Sequence, residues 1–353
     1  MSQKTFAEAP GGRENNLCLM KFLAALLVIF THAFPITGSG VDFLKRWSGG
    51  QCTFGELGIS VFFFCGGFLI LKSLEGKSGP DPRKTARVYF RARCLRIFPL
   101  LWVVVGACVF LMGPVMTTRS IGGYFADPGT WKYLLNGLLI PVHPLPGVFE
   151  GNPFPEPTVN GSLWTLPVEF VCYVLCWLFF RAGFAGRDRK TLLSLPLVAA
   201  GTAAVYVFFW GNTLLLDAVP EILLFFLGMQ AYLWKEKIPQ SYGTFGAAVV
   251  LLALSLRFGF YGWARFLCLP VILMTLAFGI PPFAARFGRR RELSYGIYLT
   301  AWPVQQILCQ LFPGIGWAGN TAGAAVICIL LSVPLTAVEK KMLRRLEPGV
   351  RSE

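Results

Sequence analysis

Residues 21–36 read KFLAALLVIFTHAFPI: a lysine, ten uncharged residues, then a histidine. Apart from one threonine the interval is apolar. About 20 apolar residues are needed to cross the hydrocarbon of a bilayer, and the run from 17 to 36 has that length. Lys21 and His32 therefore sit inside a segment that ought to be hydrocarbon throughout. An ionisable group there is costly and usually faces a protein interior or a water-filled cavity. Eleven residues at about 100° each make close to three full turns, so both side chains leave one face, about 16 Å apart along the axis.

Apolar runs of this kind recur from end to end. The chain is 55% hydrophobic and 14% charged, with a mean hydropathy of +0.58, whereas an ordinary soluble domain is about 25% charged. The fold class is all-α: a polytopic membrane protein of about ten transmembrane helices, at roughly 17–36, 56–72, 95–113, 162–181, 191–210, 214–234, 243–258, 262–281, 292–311 and 318–337. The first run lacks a small-residue cleavage site and many spans follow it, which argues against a removable signal peptide. The expected organisation is a short N-terminal segment (1–16), a membrane domain (17–338) and a basic tail (339–353).

A net charge of +14 would suit a nucleic-acid partner in a soluble protein. Here the positions of the charges give another explanation. Residues 73–93 hold six basic side chains, including Arg87, Arg91 and Arg93, and basic clusters recur at 181–190, 282–292 and in the tail. The alternate segments 37–55, 211–213 and 312–317 are nearly bare. Cytoplasmic loops carry the excess of Lys and Arg, so both termini are expected in the cytoplasm, with 37–55 and 114–161 outside. No nucleic-acid partner is needed. The long 114–161 connection is punctuated by Pro and Gly (PVHPLPGVFEGNPFPEP) and reads as irregular. TWKYLLNGLLI within it is too short to cross and is expected to lie in the interface or re-enter.

Further polar residues fall inside or at the ends of spans. Glu169, in GSLWTLPVEFVCY, lies about 10 Å inside the outer mouth of the fourth span, a depth comparable to that of His32. A carboxylate there could orient an imidazole acting as general base, or be a structural Glu bonded to a hydroxyl. Arg93 and Arg96, in RVYFRARCLRIFPLLW, sit one turn apart at the cytoplasmic end of the third span. Guanidinium binds phosphate bidentately, and plain positive-inside anchoring is the competing reading. Lys21 likewise has the alternative of snorkelling to the inner headgroups, and His32 of lying at the outer interface. Gly58, Gly66 and Gly67 in GISVFFFCGGFLI permit close helix approach. The ten cysteines show no CxxC pair and read as small buried hydrophobes. With only two histidines no His-rich metal site is expected, and His143 reads as a surface residue.

Taken in order, these pieces resemble the acyltransferase 3 family of integral membrane acyltransferases over nearly the whole chain. The resemblance is carried by Lys21 and His32 with ten residues between them, by GISVFFFCGGFLI, by Arg93-x-x-Arg96 with Pro99, by SLWTLPVEFVCY and by SYGIYLTAWPV. It implies an O-acetyltransferase in a bacterial inner membrane that moves an acyl group, most often acetyl from acetyl-CoA, to a sugar hydroxyl of a surface polysaccharide or lipid-linked glycan. It also implies His32, Lys21, Arg93 and Arg96 as functional residues, with Glu169 in the family's SLW-x-L-x-x-E stretch. Two departures stand out. Cys65 occupies the usual Ser position, and Thr300-Ala301-Trp302-Pro303 replaces a motif that commonly holds a second histidine. On this reading CoA phosphates dock at Arg93 and Arg96, the pantetheine arm passes Lys21, and His32 with Glu169 activates the hydroxyl, directly or through an acyl-histidine. No metal is called for. The alternative from another class is an exporter or flippase of a lipid-linked sugar or polysaccharide, with Lys21, His32 and Glu169 as a proton or substrate path. The sequence shows no inverted repeat of the kind many transporters carry.

Overall fold

Leu17–Ile36 (α1) is helical throughout. It starts where the Asn15 side chain accepts from the Leu17 amide at 3.1 Å, satisfying one of the amides a helix start leaves open. Near its other end Thr31 donates to the buried Asp42 carboxylate at 2.5 Å, which pins the following loop. The computed structural model describes residues 5–6, 15–186, 200–201, 204, 213–280 and 292–346. Phe54–Lys77 (α2) opens on a capping box in which Thr53 and Glu56 satisfy each other's backbone amides. Pro82–Ala107 (α3) continues through a π-helical turn, Cys108–Met112, to Met116. After a 3₁₀ turn at Gly161–Trp164 come Thr165–Arg181 (α4), Thr213–Trp234 (α5), Tyr242–Phe258 (α6), Tyr261–Met274 (α7), Ser294–Leu311 (α8) and Trp317–Leu346 (α9).

Among the described residues there are no named strands, and six helical segments are long and apolar enough to cross a membrane: Leu17–Ile36, Phe54–Lys77, Pro82–Met116, Gly161–Arg181, Tyr261–Gly279 and Trp317–Met342. The protein is therefore an integral membrane protein of all-helical class. Of the other four expected spans, α6 is apolar but only 17 residues long. Helix α5 carries Asp217 and Glu221, and α8 carries Gln305, Gln306 and Gln310. The span expected at 191–210 falls almost wholly outside the described residues.

Two boundaries differ from expectation for a local reason. The basic segment 73–93 is not a loop: only 78–81 separates α2 from α3. The Asp81 carboxylate accepts from the amides of Arg83 at 2.8 Å and Lys84 at 3.3 Å, with Pro82 in the first turn. That is a strong helix start, and arginine and lysine are good helix formers. At the other end, α9 continues through Lys340 and Lys341, so the basic tail begins as helix. TWKYLLNGLLI forms a short helix and a 3₁₀ turn closed by Leu139 in a left-handed conformation, and does not cross.

The chain divides into two compact units. The first comprises Met1–Ala24, Phe43–Phe90 and Val168–Arg290. Its centre is the α2–α5 pair, where a Cβ at Gly67 would stand 1.8 Å from the Phe225 carbonyl oxygen and one at Gly228 would stand 2.0 Å from that of Phe64. Each helix thus needs a glycine opposite the other's backbone, the close approach expected of small residues between membrane helices. The second unit comprises Ala25–Asp42, Arg91–Pro167 and Arg291–Glu353. Here Gln305 of α8 donates to the Ile29 carbonyl at 2.8 Å and to the Asn320 amide oxygen at 3.0 Å, while Asn320 donates back to the Gln305 carbonyl at 2.9 Å. These buried bonds tie α1, α8 and α9 together, and Phe34 of α1 stacks on Trp317 at 4.9 Å.

Candidate active site

The second unit holds three of the expected site residues, His32, Arg93 and Arg96. His32 is one turn before the C-terminal end of α1, and its ring meets the edge of Trp302 with centroids 4.7 Å apart and planes at 66°. Such edge-to-face geometry is the preferred one for π systems. Its Nδ1 is buried and has no hydrogen-bond partner among the described residues. An unsatisfied polar atom in a buried position is costly, and this one is an acceptor or donor kept free beside a fixed ring.

Trp302 is held from several sides. Its indole N–H donates to the Thr158 carbonyl at 3.0 Å, and the same carbonyl accepts from the Gln306 amide at 3.1 Å. Phe154 packs edge-on at 5.2 Å. Gly161 lies so close under the indole that a Cβ there would sit 2.9 Å from two ring carbons. Asn152 donates to both the carbonyl and side chain of Gln306, at 3.0 and 2.8 Å, and Asn160 donates to the Leu299 carbonyl at 2.9 Å. The Pro-rich loop therefore docks on α8 through its own asparagines and packs on the indole that faces His32. His143, expected at the surface, is half-buried in this loop, with Nδ1 shielded and its carbonyl accepting from Val159 at 2.9 Å.

Arg93 and Arg96 are half-buried on α3. Arg96 reaches Glu292 at 3.3 Å and the buried Glu339 at 3.4 Å, and lies 5.0 Å over the Tyr295 ring. Charge-assisted bonds normally close to about 2.7–2.9 Å, so these two are slack. The guanidinium is oriented by these neighbours.

The first unit holds the other two, Lys21 and Glu169. Lys21 is half-buried on the opening half of α1. Glu169 accepts a hydrogen bond from Tyr173, whose carbonyl in turn accepts from Tyr89 at 2.9 Å. Within the second unit the His32 ring packs on Trp302. A further charged cluster went unremarked in the sequence: Glu221 is buried, accepts from Ser60 at 3.2 Å and lies 3.9 Å from Arg265. A carboxylate in the apolar run LLLDAVPEILLFF is the same signal that marked Glu169. Among the described residues no group of three His, Cys, Asp or Glu side chains is arranged to hold a metal ion. None of the ten cysteines forms a disulfide, and eight are buried. Burial pushes the Cys52 thiol up to about 12, with smaller opposing contributions from Tyr261 and Arg265, which leaves it unreactive at neutral pH.

A family model described as an acyltransferase domain matches residues 14–338. The chain is 24% identical over 344 residues to a protein named O-acetyl transferase from Shigella phage Sf6, covering 93% of this chain and 96% of that protein. It is also 24% identical over 347 residues to Nodulation protein 10 of Rhizobium leguminosarum bv. viciae, covering 89% and 88% respectively. No solved structure matches the chain.

Proposed function

The chain belongs to the acyltransferase 3 family, and from that premise we propose that it transfers an acetyl group from acetyl-CoA to a sugar hydroxyl of a cell-surface polysaccharide or lipid-linked glycan. The name of the phage relative supports O-acetylation. We read the membrane domain as ten spans in a bacterial inner membrane, both termini cytoplasmic, on the alternation of basic segments.

The observation that carries the reading is the buried His32 Nδ1 without a partner, on a ring positioned by Trp302. A general base must offer a free lone pair within reach of the hydroxyl proton. As the sugar oxygen forms its bond to the thioester carbonyl, His32 takes the hydroxyl proton. The C–S bond then breaks and His32 returns that proton to the departing thiolate, so the cycle closes with no net proton change. General-base assistance of this kind is typically worth about 10²–10⁴-fold. Arg93 and Arg96 bind the CoA phosphates, Arg96 exchanging Glu292 and Glu339 for them, and Lys21 adds positive charge near the donor's path. Glu169, bonded to Tyr173, keeps a supporting role that a Glu169→Gln protein tests by itself.

Membership in an acyltransferase family favours catalysis over export. The test is radiolabelled acetyl-CoA given to purified protein. Unmodified protein should release CoA and label the acceptor, whereas a correctly inserted His32→Gln protein should lose nearly all transfer. Retained transfer would remove His32 from the chemistry.

A further inference from the structure

Two buried polar atoms near Trp302 have complementary needs. His32 Nδ1 has no hydrogen-bond partner among the described residues, and neither has Oε1 of Gln305. Gln305 is fully buried on α8, in the same unit as His32, and the mechanism above gives it no role. An amide oxygen can only accept, whereas an imidazole nitrogen that carries a proton can donate. A buried polar atom left without a partner is costly, and here an acceptor and a possible donor occur in one place.

Two contacts bring them together. The Gln305 amide donates to the Ile29 carbonyl at 2.8 Å, and Ile29 stands one turn before His32 on α1. A helical side chain leans back over the turn that precedes it, so the imidazole covers the turn to which Gln305 is bonded. By the same rule Gln305 leans back over Trp302 and Ala301 on α8. Ala301 offers only a methyl group there, and the Trp302 ring meets His32 at 4.7 Å. The amide is thus bracketed by the root of the imidazole on one helix and by the ring that faces it on the other. Its partners also fix its orientation. Nε2 donates to the Ile29 carbonyl and, at 3.0 Å, to Asn320 Oδ1, while Asn320 Nδ2 donates to the Gln305 carbonyl at 2.9 Å. A flipped amide would set oxygen against oxygen at both places, so Oε1 points away from both. Thr321 Oγ1, also without a partner among the described residues, follows Asn320 by one residue and leaves α9 about 100° away from it.

We propose that Gln305 is a positioning residue for His32: its Oε1 accepts from Nδ1–H and so fixes the tautomer whose lone pair lies on Nε2. The proposal rests on the acetyl-transfer reading and adds which nitrogen acts. The hydrogen bond made by one ring nitrogen decides which of the two carries the proton. Nε2 then takes the proton of the acceptor hydroxyl. The imidazolium that forms keeps its Nδ1–H bond to the amide oxygen, and that bond strengthens as the ring becomes charged. When Nε2 returns the proton to the departing thiolate, the ring is back in its starting tautomer. Such bonds are commonly long without substrate and tighten in the complex.

The experiment is nitrogen-15 NMR of histidine-labelled full-length protein in nanodiscs, with and without CoA, at an alkaline pH that keeps the rings neutral. The chain has two histidines, so a His143→Gln protein assigns the signals. His32 should show the Nδ1–H tautomer with CoA bound. Gln305→Met should abolish that preference and lower kcat by about tenfold, the scale of one hydrogen bond, with donor KM unchanged. Gln305→Asn, which keeps a buried amide but draws it back by one methylene, is the second variant and guards against a Gln305→Met protein that fails to insert. The isosteric Thr321→Val should leave tautomer and kcat as they are. An Nε2–H tautomer in the unmodified protein in both states, an Nδ1–H tautomer retained in the Gln305 variants, or an equal change in Thr321→Val would overturn the assignment of Gln305 alone. Acetyl transfer retained in His32→Gln would instead overturn the reading beneath it, whatever the tautomer.

Discussion

A Gly161→Ala substitution adds one methyl group beneath the indole of Trp302, and its effect can be worked from the geometry. Gly161 is not in the left-handed backbone region, so alanine meets no conformational objection. Its Cβ would lie 2.9 Å from Cη2 and Cζ2 and 3.0 Å from Cζ3 of Trp302. Carbon atoms rest about 3.5–4.0 Å apart, so the ring must retreat by about half an ångström or more. It cannot do so freely, because Thr158 holds its N–H, Phe154 packs on it and His32 meets its edge. Overpacking of this kind costs about 1–3 kcal/mol. A misplacement of 1 Å in a catalytic arrangement can cost about 100-fold, so we predict a kcat roughly tenfold lower, with donor KM little changed. The assay is acetyl transfer together with a melting curve in detergent. Gly122→Ala, whose Cβ would meet nothing within 4 Å, is the control. Adding Trp302→Phe should make the two effects non-additive, as expected for residues in contact. A Gly161→Ala protein with unchanged kcat would refute the link between Trp302 and His32.

The glycines of α2 should separate by position. Gly67→Ala should destabilise, because a Cβ 1.8 Å from the Phe225 carbonyl oxygen forces the helices apart at about 1–3 kcal/mol or more, exceeding the gain of up to about 1 kcal/mol in helix propensity. Gly66→Ala, 3.6 Å from the Phe225 ring, should be neutral or slightly stabilising, and equal melting temperatures for the two variants would contradict this account. At the other end of the second unit, Arg96→Met should raise the KM for acetyl-CoA by about tenfold or more, leaving acceptor KM close to normal. Glu292→Gln should lower donor KM by removing a competitor for the guanidinium; a rise would show that the carboxylate positions Arg96 for its ligand.

The membrane class was legible because it rests on a local quantity, the apolar length of each helix. Helix starts were less so. Basic residues 83–93 looked like a loop by composition, whereas the Asp81–Pro82 cap makes them helix. His32, Arg93 and Arg96 were marked by the cost of placing them in or beside hydrocarbon. Trp302 stood in the quoted SYGIYLTAWPV stretch without a role. Its role depends on Thr158, Phe154 and Gly161, which are about 140–150 residues away in sequence and carry no periodic signal. The glutamates on Arg96 were hidden for the same reason: Glu339 sits 243 positions further along.

The position next to Trp302 bears on how the proposed transfer would handle its proton. Where the resemblance leads one to expect a second histidine in this motif, the chain has Ala301, which is 1% exposed and non-titrating. A mechanism that divides proton uptake and proton delivery between two imidazoles is therefore closed to this pair of positions. One imidazole suffices, because acyl transfer from a thioester to a hydroxyl returns to the thiolate the proton it removes from the alcohol. A single group that must start neutral gives kcat/KM that rises with pH through one ionisation and then levels, whereas separate essential acid and base give a bell. The measurement is kcat/KM against pH with one saccharide acceptor held constant, below the range in which the thioester hydrolyses by itself. A bell-shaped profile that persists in His143→Gln would show that a second titrating group takes part and that His32 does not work alone.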